Sequence, residues 1–190
     1  MSANIEKNKS VKNGKLILAE PYSANLHFRR SVILLCNHDE EGSFGYIINK
    51  PLDTKLNELI PDFPPFKAQL FYGGPVQTNT LHFIHNLGDL IEGSMRISAG
   101  VYMGGSWDNL KFLVEAKLIE PKHVRFFVGY SGWGEKQLQE EIEIGSWILA
   151  DMHANYLFNA QPNTLWRTVL QNKGDAYAII ADMSDDNRDN

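Results

Sequence analysis

Cys36 and His38 are the first pair whose types suggest chemistry, because residues two apart in an extended segment point to one face. That spacing would suit a thiolate with an imidazole base, or two ligands of a metal. The chain has one cysteine, however, and two ligands do not close a zinc site. His27, His82, His85, His123 and His153 show no ligand spacing, and His82 and His85 would face opposite sides of one strand. Cys36 therefore reads as a buried structural thiol beside a loop-end histidine, with no metal and no cofactor.

The segment Gly129-Tyr130-Ser131-Gly132-Trp133-Gly134-Glu135-Lys136 invites two catalytic readings, and spacing defeats both. A nucleophile elbow needs glycine two residues after the serine, where Trp133 stands. A phosphate loop needs lysine directly after its second glycine, where Glu135 intervenes, and that carboxylate would repel an anion at a helix start. The segment reads instead as a glycine turn between a strand and a helix. Gly73-Gly74-Pro75 follows an apolar strand and offers bare backbone beside a fixed φ, which suits a turn at a sheet rim or close approach by a ligand. His38-Asp39-Glu40-Glu41-Gly42 reads as a solvated turn, and the acidic end of the chain, residues 182–190, lacks the glycine of a calcium loop.

A formal net charge of -5 disfavours direct DNA binding, since the molecule as a whole repels a phosphate backbone. Arg29-Arg30 and Lys7, Lys9, Lys12 and Lys15 are too sparse to reverse that. Trp107, Tyr130, Trp133 and Trp147 are of the type that stacks bases, but at apolar positions such rings belong to cores. No apolar run approaches the length of a membrane span, the basic N-terminus has no apolar stretch behind it, and a single cysteine fits a reducing compartment. The expected location is cytoplasmic, with no membrane association.

These residues must be placed by elements legible in the pattern. Residues 1–13 carry almost nothing apolar and read as a flexible N-terminal tail; one domain is expected over 14–190. Strands are predicted at 16–19, 31–36, 44–49, 69–72, 81–85, 95–101, 124–129 and 147–150. Helices are predicted at about 53–60 with Asp53 and Thr54 as caps, at 106–118 capped by Ser106, at 135–144, and at 163–172 closed by a left-handed Gly174. The acidic C-terminal segment is expected to fray.

Several of these segments together resemble the AlgH/YqgE family of bacterial proteins: Phe28-Arg29-Arg30-Ser31-Val32, Leu35 to Gly42, Gly45 to Pro51, Tyr72 to Val76, Gly129 to Gly134, Gln137-Leu138 and Ser146-Trp147. The resemblance runs from about Gly14 to the C-terminus. It implies a single-domain α+β fold in which a bent, bifurcated β-sheet forms a pseudo-barrel flanked by helices. It also implies a transcriptional regulator by the family's usual label, and carries over no catalytic residue. Two departures stand out: Ser131 where alanine is frequent, and Lys50 where arginine is usual, which turns a bidentate fork into a point charge.

The resulting expectation is a non-enzymatic regulatory protein acting through contacts with a protein partner. Its surface would be a rim of His38, Asn49, Pro51, Gly73, Gly74 and Pro75, since each ends a predicted strand near a turn. The alternative is a small-molecule-binding protein or enzyme using the same rim, with His38 as acid or base and Asn49 as orienting hydrogen-bonder. Both versions require His38 and Asn49 to lie side by side.

Overall fold

Residues 10–182 are described in this computed structural model. Leu16-Ile17-Leu18 and Val32 to Cys36 are continuous apolar runs, the mark of strands covered on both faces. They form β1 (Lys15–Ala19) and β2 (Val32–His38), which pair antiparallel, with β3 (Ser43–Ile47) following β2 in a hairpin. β10 (Trp147–Asp151) adds to the outer edge of β1.

β9 (Val124–Trp133) is the strand on which the sheet divides. Its first half lies between β5 (Leu70–Tyr72), parallel, and β6 (Val76–His85), antiparallel. At Gly129, φ +66, the backbone bends, and the second half pairs with β3, Gly45 opposite Ser131 and Ser43 opposite Trp133, while Val76 of β6 stays opposite Tyr130. The short β4 (Pro51–Leu52) pairs with β5, and β7 (Met95–Ser98) with β8 (Val101–Met103) extends β6. The result is a bent, bifurcated sheet curled into a half-barrel within one α+β domain.

Six α-helices flank it among the described residues: α1 (Leu56–Leu59), α2 (Trp107–Glu115), α3 (Gln137–Glu143), α4 (Ala154–Phe158), α5 (Pro162–Lys173) and α6 (Asp175–Ala181). Alternation along β2 sends Val32, Leu34 and Cys36 toward Leu165, Trp166, Val169 and Leu170 of α5, and Ile33 and Leu35 toward Trp133, Leu138 and Trp147. A third cluster joins Leu110, Leu113 and Val114 of α2 to Phe83, Val124 and Phe126. β9 contributes to all three clusters, so the interior is shared and there are not two lobes.

Local departures from the sequence reading have local causes. The 129–134 segment is not a turn; β9 runs through it by exchanging partners at Gly129. The strand expected over 95–101 is a hairpin, broken by Gly100 at φ +71. The 53–60 helix shrinks to one turn, and neither Asp53 nor Thr54 caps it; Lys55 holds the cap position without a side-chain bond. Ser106 caps α2 as expected, accepting from Asn109 N at 3.1 Å. Gly174 has positive φ but extended ψ, so it is not a left-handed cap and instead starts α6. Residues 1–9 of the expected tail and 183–190 of the acidic end lie outside the described residues. Val11 packs against the cluster that holds Ile33, Leu35 and Trp133, and Gly14 N donates to Leu35 O at 2.8 Å.

Candidate functional site

The structure separates the residues proposed to share a rim. β2 and β3 are antiparallel, with His38 opposite Ser43 at the hairpin tip. Asn49 lies beyond the other end of β3, where its Oδ1 accepts from Val32 N at 2.8 Å. Six residues of strand separate Val32 from His38, about 20 Å at 3.3 Å per residue. His38 and Asn49 therefore cannot act on one molecule, and the common rim is corrected on that ground. Gly73 and Gly74 are buried: Gly73 N donates to Val128 O at 2.9 Å, and Gly73 O accepts from Ile47 N at 2.9 Å and Ser131 Oγ at 3.1 Å. Pro51 and Pro75 are exposed.

The nucleophiles considered from sequence are spent in structure. Ser131 is fully buried and donates to Gly73 O. Cys36 is buried, its Sγ faces Leu34 O at 3.6 Å, and burial pushes its thiol well above the usual range, so it is no thiolate. Among the described residues no three of His, Cys, Asp and Glu gather as metal ligands, and no helix is long and apolar enough to cross a membrane.

What the fork in the sheet creates is a cavity of about 770 Å³ between the β3–β9 arm and the β6–β8 arm. Its walls carry Phe44, Tyr46, Phe83, Trp107, Tyr130 and Trp133. The rings hold one another: Tyr46 stacks on Phe127 at 4.9 Å, Phe44 meets Tyr130 edge-on at 6.1 Å, and Trp107 meets Phe83 edge-on at 4.7 Å. Asp39 and Glu41 stand at the mouth, and among the described residues no lysine or arginine lines the cavity. Asp39 accepts from the Asn37 amide at 2.6 Å and from Glu41 N at 2.9 Å, which lowers its pKa and keeps it ionised. None of the six rim residues lines this space. The signal available in sequence was the aromatic set, of which Trp107, Tyr130 and Trp133 read there as core rings.

One wall depends on a buried histidine. His85 Nε2 donates to Gly104 O at 3.1 Å while its Nδ1 accepts from Leu87 N at 3.2 Å, which fixes a neutral ring and the Gly104-Gly105 turn. Burial holds His85 below the usual histidine value, and does the same to His82 at the cavity side. In the unfolded chain both titrate near about 6.5, so below that pH the unfolded state binds more protons and stability falls; above it they have no effect. Unfolding free energy from urea titration is expected to be flat between about pH 8 and 7 and to decline from about 6.5 to 5.

A sequence profile described as AlgH-like matches residues 16–178. The chain belongs to the AlgH-like family. Relatives within it include a UPF0301 protein of Chlorobium limicola, 42% identical over 171 residues covering 90% of this chain and 91% of that one. A UPF0301 protein of Cytophaga hutchinsonii is 37% identical over 176 residues, 92% of this chain and 97% of its own. The solution structure of the AlgH protein from Pseudomonas aeruginosa superposes with a TM-score of 0.72 at 26% identity, over 90% of this chain and 93% of that one. A crystal structure of a Corynebacterium diphtheriae protein shares the fold, TM-score 0.77 at 21% identity, over 96% of this chain and all of that one.

The AlgH-like motifs acquire physical reasons here. Glu141 Oε2 accepts from the indoles of both Trp133, at 2.9 Å, and Trp147, at 2.7 Å, while Oε1 accepts from the Gln137 amide at 2.8 Å. This knot joins α3 to the ends of β9 and β10 and anchors the Trp133 side of the cavity. Glu141 was missed from sequence because its role needs three partners brought together by folding.

Proposed function

We propose that this AlgH-like protein is a regulatory ligand-binding protein whose forked-sheet cavity takes a small aromatic molecule bearing a positive charge. The observation that supports it is the composition of the cavity: six aromatic rings, two mouth carboxylates and, among the described residues, no lysine or arginine. Aromatic faces attract cations, and that attraction strengthens when water is excluded. A phosphate-bearing ligand is disfavoured here by Asp39 and Glu41. Regulation, transcriptional included, would then pass through a protein partner that senses the loaded state rather than through direct DNA contact.

The test uses one indole ring with three charges. Tryptamine, uncharged 3-methylindole and indole-3-propionate are titrated into ¹⁵N-labelled protein, and the amides of Gly104, Gly105 and Gly132 are followed. The expected order is tryptamine, then 3-methylindole, then the propionate, with tryptamine ahead of the neutral ring by about tenfold, or 1.4 kcal/mol. Equal binding of amine and acid, or no saturable shift at those glycines, overturns the reading.

A second reading rests on one contact. Ser43 lines the cavity, and its Oγ lies 2.7 Å from His38 Nδ1, within the reach of a nucleophile and its base. No third residue orients His38 among the described residues, so ligand binding is preferred over turnover. Ester hydrolysis lost in Ser43→Ala would reverse that preference.

A further inference from the structure

A second cavity, of about 330 Å³, opens at the other end of the β2–β3 hairpin, where β3 runs out and α5 begins. Its lining has the opposite character: Arg30, Lys50 and Arg167 face it, and among the described residues no carboxylate lines it. In a chain of net charge -5 such a concentration of cations is not incidental solvation. Pro162, Asn163 and Thr164 present the start of α5 to the same space, and no side chain caps that twelve-residue helix. Its positive end therefore adds to the field of the three side chains.

The backbone is strained to build this arrangement. Arg30 is a non-glycine residue at φ +50, and Asn49 holds it there: Nδ2 donates to Arg30 O at 2.9 Å while Oδ1 accepts from Val32 N. The Arg30 guanidinium then lies 5.2 Å from the ring centroid of Trp166, at the cavity. Lys50 donates to His27 O at 2.6 Å, a neutral partner, so its charge is hydrogen-bonded without being cancelled. Burial and the nearby Arg29 both lower the Lys50 pKa, and an incoming anion would relieve that penalty. Arg167 Nε donates to Ala181 O at 3.2 Å and lies 4.0 Å from Asp182 Oδ1.

We propose that the Arg30–Lys50–Arg167 cavity is an anion site that binds the phosphate group of a small phosphorylated molecule. Phosphate matches the chemistry because guanidinium, ammonium and helix-start groups all donate to its oxygens. The volume leaves room for a small organic body beside it. Asn49 acts as a positioning residue through Arg30 and does not touch the ligand, since both ends of its amide are engaged. This site is independent of the aromatic cavity, and either could exist without the other.

Inorganic phosphate, glucose 6-phosphate and glucose are titrated into labelled protein while the Asn163 and Thr164 amides are observed. Glucose 6-phosphate is expected to saturate and to bind more tightly than inorganic phosphate, with glucose silent and the affinity falling as salt is added. Lys50→Gln is expected to weaken it about tenfold, and Lys50→Arg to restore or exceed the original affinity. All variants are checked for an unchanged amide spectrum away from the cavity. Failure of both phosphates to saturate, equal binding by Lys50→Gln, or inorganic phosphate matching the ester would overturn the proposal.

Discussion

Gly74→Ala is expected to leave no stably folded protein, with a loss beyond about 4 kcal/mol against a total that is ordinarily 5 to 15. Gly74 has φ +150, a conformation that side chains rarely adopt, and a Cβ there would fall inside the contact distance of Tyr130 C and O and of Ser131 Oγ. Two of those three atoms are backbone of β9 at the point where the sheet divides, so they cannot move aside as a flexible side chain would. Shifting them would break the Gly45–Ser131 pairing and the Ser131 bond to Gly73. Adjacent Pro75 is exposed, and Pro75→Ala is expected within about 0.5 kcal/mol of the parent. Urea unfolding of the pair, with soluble yield, is the measurement. A Gly74→Ala protein unfolding at the parental midpoint would show that the fork is not rigid.

The same glycines show how much of the molecule could be read in advance. Their bare backbone was visible in sequence and suited a rim turn or a ligand's approach; what approaches is another strand, β9. The β1 and β2 runs were legible because only a strand covered on both faces can be apolar without alternation. Ser106 was legible because a helix cap is a local bond. The rim failed although the arithmetic was at hand: a tight turn between His38 and Ser43 necessarily sends Asn49 back to the start of β2. Gly129 was misread since a glycine-rich string ends most strands, and only the third dimension reveals a new partner waiting beyond the bend. The aromatic cavity was illegible for the same reason, since its walls come from β3, β6, β9 and α2, and nothing local to any of them marks convergence.

Gly132→Phe is expected to abolish tryptamine binding, by about a hundredfold or more, while leaving the fold intact. Gly132 lies in β9 opposite Phe44, lines the cavity and is exposed to it, and its φ is outside the range reserved for glycine. A Cβ placed there meets the Tyr130 ring at 3.3 Å and Val76 Cγ2 at 3.9 Å, both walls of the cavity, so an added ring must project into the space the ligand would use. Tyr130 has only to give by a few tenths of an ångström, and a β-strand accepts phenylalanine readily. The melting temperature should therefore stay within about 4 °C of the parent. Glucose 6-phosphate titration at the Lys50 cavity should be unaltered, because the two cavities share no lining residue. Tryptamine binding that survives a filled cavity would place the ligand elsewhere and remove the ground for the aromatic site.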